Sequence, residues 1–529
     1  MRARHHKAAL LLSVTLTGMA VLIVEITATR MLAPFFGNSI FTLSSVLGIV
    51  LAALGLGYYA GGVLADRRPS VKWFFCLIAL AGFSVLLLQL LNAVVLPRIA
   101  YQLSLINGPL IVSLLMFFLP ALFLAMLSPF AITLLHARAA GEGVGHAAGL
   151  VFFWSTLGSI AGALGTGFVL IPRWGIGDIV IGVGSGLVLL GAAGLLLTRS
   201  MPRVVAVSLA LMGLVFGMVL RQVSAVEPPG VVFAADGLYD RIEIRDMPIQ
   251  GRAARVLWQD HNVSGGAYLD DGGMAFDYTK YFDLYRLFTP QLNTALALGG
   301  GAYNVPAAIL RDSPRAMVDV AEIDPTLHAL AIRYFALPAD ARLRNHVIDG
   351  RRFLHDTRER YDLIFSDAFR SFVSAPAQFA TREFFALATH RLRPDGVLIA
   401  NFYGSLAPDS RATIFAVLRT MRGVFPQVYV IATANPTSEE LQNFIFIGHN
   451  VSDPDRRIDL RQAAAVDFAY PMLKGIAVRE LKPAQALIDS YPVLTDDFAP
   501  LEYYAAGTIR RYDVISTGRR AASSRSRTR

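Results

Sequence analysis

Seven apolar runs in the first 220 residues restrict this chain more than any other feature. A bilayer-spanning helix needs about 20 apolar residues. Runs at roughly 8–30, 39–65, 71–97, 109–136, 146–172, 176–198 and 203–220 approach or exceed that length. Hydrophobic residues make up 54% of the 529-residue chain and charged residues 16%, a balance too apolar for an ordinary soluble enzyme. The excess sits in these runs, and the remainder reads as a normal globular domain. No small-residue cleavage site follows the first run and six more come after it, so it is expected to stay as a span rather than leave as a signal peptide. The expectation for residues 1–221 is an all-α multi-pass membrane bundle of about seven helices.

Within that half, Gly and Ala are dense in the second and fifth runs (GLGYYAGG from Gly55, GSIAGALGTG from Gly158). Small residues let helices approach closely. Glu25 lies inside the first run and Arg30 near its end; a carboxylate at that depth must be paired or face a polar cavity. Two readings stay open for Glu25, an intramembrane pairing that fixes packing and a substrate or proton site. Arg2, Arg4, Lys7, Arg67, Arg68, Lys72, Arg199 and Arg203 fall on one side, which by the positive-inside rule places the N-terminus in the cytoplasm. Seven spans would then carry the C-terminal domain outside, where adenosine cofactors are scarce. The expectation is nonetheless a bacterial-type inner-membrane protein with its soluble domain in the cytoplasm.

The net charge of +9 leans on short loops and on an Arg/Ser tail (residues 518–529, read as disordered). That pattern suits anionic lipid better than nucleic acid, since no aromatic–basic interleaving accompanies it. The single cysteine, Cys76, lies in an apolar run and excludes an internal disulfide or a Cys-based metal site.

After Arg221 the pattern changes. A linker (Glu227-Pro-Pro-Gly230) leads into the alternating runs Arg241–Arg245 and Ala254–Trp258, read as period-2 strands of a small antiparallel sheet over residues 222–290. A helical stretch is expected from Tyr278 to Phe288. Residues 291–517 then alternate strand and helix. Ala295–Leu298 breaks into Gly299-Gly300-Gly301, and an apolar helical segment and a second strand ending on Glu322 and Asp324 follow. Glycines at a strand-to-helix turn let a ligand approach the backbone. An acid about 20 residues on, at the next strand's end, is where a ribose hydroxyl pair is held. Val347-Ile348 ends on Asp349, Tyr361–Phe365 on Ser366-Asp367, and Gly396–Ala400 and Val428–Ile431 read as further strands. Carboxylates at successive strand C-termini face one crevice, though Asp349 and Asp367 also suit helix N-caps. The fold expected here is a Rossmann-like methyltransferase fold behind a small β domain.

Those residues, from about Gly237 to Pro500, resemble the spermidine synthase (polyamine aminopropyltransferase) family, and the whole chain resembles its bacterial membrane-fused members. The segment GGVLADRR (Gly61–Arg68) also resembles the loop after the second span of major-facilitator transporters. By resemblance, Gly299, Gly300 and Gly301 line the nucleoside site and Glu322 takes the ribose hydroxyls. Asp349 contacts the adenine amino group, and Asp367 sits beside the attacking amine as the catalytic residue. The resemblance implies decarboxylated S-adenosylmethionine, or S-adenosylmethionine, as co-substrate, with no prosthetic group and no metal, and a homodimer.

Departures from the family pattern concentrate on the acceptor side. Ala302 stands where the glycine motif continues with Asp. Arg370 stands where a second carboxylate belongs in the loop after Asp367, and Ser264 where a glutamine belongs. The family's Tyr-His-Glu triplet is read as Tyr281-Phe282-Asp283. The acceptor pocket is thus expected from Arg370, Ser264, Tyr281 and Asp283, and Arg370 would repel a dicationic putrescine. Leu494–Glu502, carrying Asp496, Asp497 and Glu502, reads either as a turn with a capped segment or as a flap restoring negative charge.

The function expected is a membrane-anchored transferase using an adenosyl sulfonium donor, foremost aminopropyl transfer to a small amine. The alternatives are an S-adenosylmethionine-dependent methyltransferase, and a non-catalytic polyamine or nucleoside transporter or sensor.

Overall fold

The computed structural model describes residues 2–137, 143–225, 230–260, 262–289, 291–367, 377–451, 453 and 457–507. Arg370 and the basic tail lie outside them. The chain forms two compact units, residues 1–228 and 229–529.

Among the described residues of the first unit, seven helices are long and apolar enough to cross a membrane: α1 (Lys7–Phe36), α2 (Ile40–Arg67), α3 (Val71–Ile99), α4 (Gly108–His136), α5 (Val144–Leu170), α6 (Ile176–Leu197) and α7 (Arg203–Ser224). They fall within a few residues of the predicted runs. Ser39 caps α2 by accepting from the Thr42 amide, and Ser70 caps α3 through Lys72. The small residues act as the sequence suggested. A Cβ on Gly57 or Gly61 of α2 would come within 2.5 or 2.4 Å of the Leu122 or Met126 carbonyl oxygen of α4. On α5, Gly158 and Gly162 stand in the same relation to Thr15 and Met19 of α1. Backbone-to-backbone approach of this kind needs small side chains. The outward faces stay apolar, with Leu51, Phe152, Phe153, Ile160, Leu211 and Met218 exposed. Glu25 is half-buried on α1.

In the second unit a four-stranded antiparallel meander comes first: β1 (Val231–Asp236), β2 (Arg241–Ile249), β3 (Arg252–Gln259) and β4 (Asn262–Tyr268). The sequence marked two of these four. β1 and β4 lack clean alternation, and pairing with β2 and β3 rather than their own pattern holds them in place. The stretch read as a helix from Tyr278 is a 3₁₀ segment over Asp277–Leu284, followed by one α turn, Tyr285–Phe288.

The main sheet has seven strands in the order β10-β11-β9-β8-β5-β6-β7. They are β5 (Thr294–Leu298), β6 (Met317–Glu322), β7 (Leu343–Val347), β8 (Tyr361–Ser366), β9 (Leu392–Gly404), β10 (Gln427–Ala432) and β11 (Gln442–Asn450). The first five are parallel, and β11 inserts antiparallel between β9 and β10. Helices α8 (Asn304–Asp312), α9 (Leu327–Tyr334), α10 (Gly350–Asp356), α11 (Arg382–Arg391) and α12 (Ala412–Arg422) cover the two faces. Two apolar clusters result, one around Tyr303, Phe282 and Ile399 and one around Phe384, Phe402 and Phe446. β8 is buried along its whole length, as a continuous apolar run in a doubly covered parallel sheet should be.

One polar cluster is built into this core. Asp319 on β6 is 2% exposed and accepts from Arg344 Nη2 at 2.5 Å and Tyr361 Oη at 2.9 Å, with His346 Nε2 at 2.8 Å. Asp319→Ala removes the carboxylate that accepts from the buried Tyr361 hydroxyl and should destabilise the protein by about 2 kcal/mol. A drop of several degrees in the unfolding temperature of the detergent-solubilised chain is the expected reading; no change would mean the cluster is solvated.

Candidate functional site

The C-terminal ends of β8, β5, β6 and β7 lie side by side, with Leu298 in register with both Ser366 and Ala321, and Glu322 with Val347. Asp367, the Gly299–Gly301 turn, Glu322 and Asp349 therefore stand in one row. Three strand spacings of about 4.8 Å make the row about 14 Å long, the scale of a nucleoside with a short side chain.

Backbone geometry explains the glycines. Gly299 has φ +93° and Gly301 φ +51°, both in the left-handed region that favours glycine. A Cβ on Gly301 would lie 2.4 Å from the carbonyl oxygen of Ser264, and one on Gly300 would lie 2.5 Å from the Tyr303 ring. β4 thus closes over the turn: Gly266 N–H donates to Asn304 Oδ1 at 3.0 Å, at the first residue of α8. Glu322 is 6% exposed; its Oε2 accepts from Gly300 N–H and its Oε1 from Asp324 N–H, both at 2.8 Å. Those two bonds aim the carboxylate at the turn and leave further lone pairs for ligand hydroxyls. Tyr303 takes a left-handed φ of +57°, and its hydroxyl donates to Asn345 Oδ1 at 2.6 Å, so the ring is pinned behind Gly300.

Asp349 caps α10, accepting from Arg352 N–H at 2.9 Å. Its predicted capping role is present, and the residue keeps partial exposure at the end of the row.

Asp367 begins the loop after β8 and donates its own N–H to Leu298 O at 3.1 Å, one residue before the glycine turn. The residue keeps partial access to solvent. Burial of the carboxyl group pushes its pKa up to about 6, against the lowering effect of hydrogen bonds from Asn401 and Tyr278. Asn401 Nδ2 donates to Asp367 Oδ1 at 3.0 Å, and Asn443 Nδ2 donates to Asn401 Oδ1 at 2.9 Å. Burial, then the Asp367 charge, holds the Tyr278 phenol well above its ordinary range, so it stays a neutral hydroxyl.

The acceptor-side expectations need correction. Tyr281 and Asp283 are both 0% exposed. Tyr281 Oη accepts from Arg479 Nη1 at 2.7 Å; Asp283 pairs with Arg286 Nε at 2.6 Å and accepts from Ala469 N–H at 2.7 Å. Both are core ties, and the tyrosine that reaches Asp367 is Tyr278, three residues earlier. Ser264 is placed at the glycine turn through its backbone, and Arg370 lies outside the described residues. Asp496 accepts from Arg351 Nη1 and Nη2, at 2.8 Å to one oxygen and 2.6 Å to the other, and from Thr381 Oγ1 at 2.8 Å. Leu494–Glu502 is therefore tied to α10 and α11, in keeping with the turn reading.

Sequence reasoning missed Tyr278, Asn401 and Asn443. One signal was present for Asn401: it follows Gly396–Ala400 as the first polar residue after an apolar strand run, the same logic that found the acids. Tyr278 and Asn443 carry no such local mark.

A glycine turn, a buried acid and a half-buried carboxylate stand along the C-terminal edge of the parallel strands in a Rossmann-like sheet. The spermine/spermidine synthase domain pattern matches residues 283–455. The chain is 28% identical over 248 residues to the polyamine aminopropyltransferase of Vibrio vulnificus, spanning 44% of this chain and 76% of that one. It is 30% identical over 289 residues to a probable polyamine aminopropyl transferase of Bifidobacterium longum, spanning 51% of this chain and 61% of that one. A crystal structure of a probable spermidine synthase from Corynebacterium glutamicum superposes with a TM-score of 0.42 at 22% identity, over 51% of this chain and 97% of that one. The C-terminal half of this protein carries a spermidine synthase domain, and the protein is a transferase.

Proposed function

We propose that this protein is a membrane-anchored aminopropyltransferase that moves an aminopropyl group from decarboxylated S-adenosylmethionine to a small amine. The observation that carries the reading is the Asp367 carboxylate, on a residue that keeps partial access to solvent one strand from the glycine turn, with Tyr278 and Asn401 against it. The relatives' names support the same reaction, and the exposed apolar faces of α2, α5 and α7 support the anchor.

In this reading Gly299–Gly301 admit the nucleoside to the backbone, Glu322 accepts from the ribose hydroxyls, and Asp349 stands at the adenine end. The donor supplies a carbon made electrophilic by the neighbouring sulfonium. Asp367, ionised above about pH 6, attracts the amine as its ammonium and takes the proton that must leave before attack. The amine nitrogen then forms the new N–C bond in line as the C–S bond breaks and methylthioadenosine departs. Tyr278 donates to the carboxylate and fixes its direction.

A methyl-transfer reading is favoured by one observation: Ala302 is 3% exposed and carries no charge for an aminopropyl ammonium. Product analysis separates the two. The detergent-purified full chain is offered S-adenosylmethionine or its decarboxylated form with a panel of amines. Methylthioadenosine from the decarboxylated donor alone is the expected result. S-adenosylhomocysteine would make the protein a methyltransferase, and neither product with intact nucleoside binding would sink the enzyme reading.

A further inference from the structure

We infer that Asn443 is a positioning residue that acts through Asn401 to fix which oxygen of Asp367 receives the proton of the acceptor amine. The inference rests on the transferase reading above.

A carboxylate has only acceptors to offer, so Asn401 must face Asp367 Oδ1 with its amide N–H, at 3.0 Å. Its carbonyl oxygen then points the other way. Asn401 is 5% exposed, and an unmet buried carbonyl is costly. Asn443 supplies the donor, at 2.9 Å. Turning Asn401 over would set its carbonyl against the carboxylate and its N–H groups against those of Asn443, and turning Asn443 over would set carbonyl against carbonyl, so the polarity of the chain runs one way, from Asn443 through Asn401 to Asp367.

This placement depends on β11. In its antiparallel pairing with β9, Ile445 is the register partner of Asn401. Asn443 is two residues away on the same face, the diagonal position that long polar side chains can bridge.

Two consequences follow for the chemistry. Oδ1 meets a donor with no lone pair to share, so a proton taken from an amine goes to Oδ2. The Asn401 bond also favours the ionised form against burial, which keeps Asp367 a working base near neutral pH. Among the described residues, the titratable group against Asp367 is the neutral Tyr278 phenol; Arg370, three residues on, lies outside them.

The test uses the full chain in detergent, with wild type, Asn443→Leu, Asn401→Leu and the double variant. The Asp367 titration is read twice: from the acid limb of kcat/KM, and from the carboxyl infrared difference against Asp367→Asn. Wild type should show a midpoint near 6. In Asn443→Leu it should move up by ~0.5–1 unit, with activity lost near pH 6 and largely recovered at pH 8. In the Asn401→Leu background, Asn443→Leu should add nothing. An unshifted midpoint with activity lowered at all pH values would reduce Asn443 to a packing residue and overturn the inference, as would an equal shift in both backgrounds. Should the wild type turn over no amine, the infrared titration still decides the relay, so the two failures are distinct.

Discussion

Asp367→Asn is expected to lower kcat by about 10²- to 10⁴-fold, the range for losing a positioned acid–base group, while making the folded protein more stable at pH 8. Both effects come from one placement. Burial raises the carboxyl from the usual 3.8 to about 6 in the fold, so the native state holds its proton more tightly than the unfolded chain. Below about pH 4 both states are protonated and the group costs nothing. Between about pH 4 and 6 the unfolded chain ionises freely while the native carboxyl resists, and stability falls as pH rises; above 6 the penalty is complete. A two-unit shift sets a ceiling of about 3 kcal/mol, and partial solvent access brings the expected figure to about 1–2. Asparagine removes the penalty and can still accept from Asn401. Thermal unfolding at pH 8 and pH 3.5 should show the variant ahead at the first and nearly level at the second. Half the wild-type activity surviving in Asp367→Asn would remove this residue from the chemistry.

The second large effect is expected at Gly301. Gly301→Val should weaken methylthioadenosine binding by at least 100-fold, about 2.7 kcal/mol, and lower turnover with it. A side chain there meets two obstacles at once. The φ of +51° costs a branched residue at least 1–2 kcal/mol. A Cβ would also press to 2.4 Å on the Ser264 carbonyl, which is backbone and cannot swing aside. Relief requires parting β4 from the turn, and with it the Gly266–Asn304 bond that closes the loop. Titration calorimetry measures the loss. Wild-type affinity in Gly301→Val would mean that the nucleoside does not lie on this turn.

The sequence by itself determined the change from an apolar helical half to a sheet-built half, and the row of glycines and acids along the sheet's edge. Seven apolar runs announced seven long helices, because helix length and apolar composition are local properties of the chain. The glycine turn and the acids Glu322, Asp349 and Asp367 were legible for a related reason. In a parallel sheet, strand ends in sequence become neighbours along one edge, so a pattern repeated along the chain becomes a row in space. Small residues on α2 and α5 likewise foretold close helix approach, since the need for a missing side chain is written at the position itself.

Only the tertiary structure decided which side chains stand against Asp367. Tyr278 and Tyr281 stand three residues apart on one 3₁₀ segment, where neighbouring turns nearly eclipse, and packing alone sends one to Asp367 and the other to Arg479. Asp283, a pocket acid by family resemblance, is tied to Arg286 and the Ala469 amide, contacts up to 186 residues away in sequence. Asn443 reaches Asn401 across 42 residues because β11 inserts between β9 and β10. Such meetings are set by strand order and side-chain packing. Local periodicity carries no information about either, and so the row of glycines and acids could be read in advance while the side chains that meet Asp367 could not.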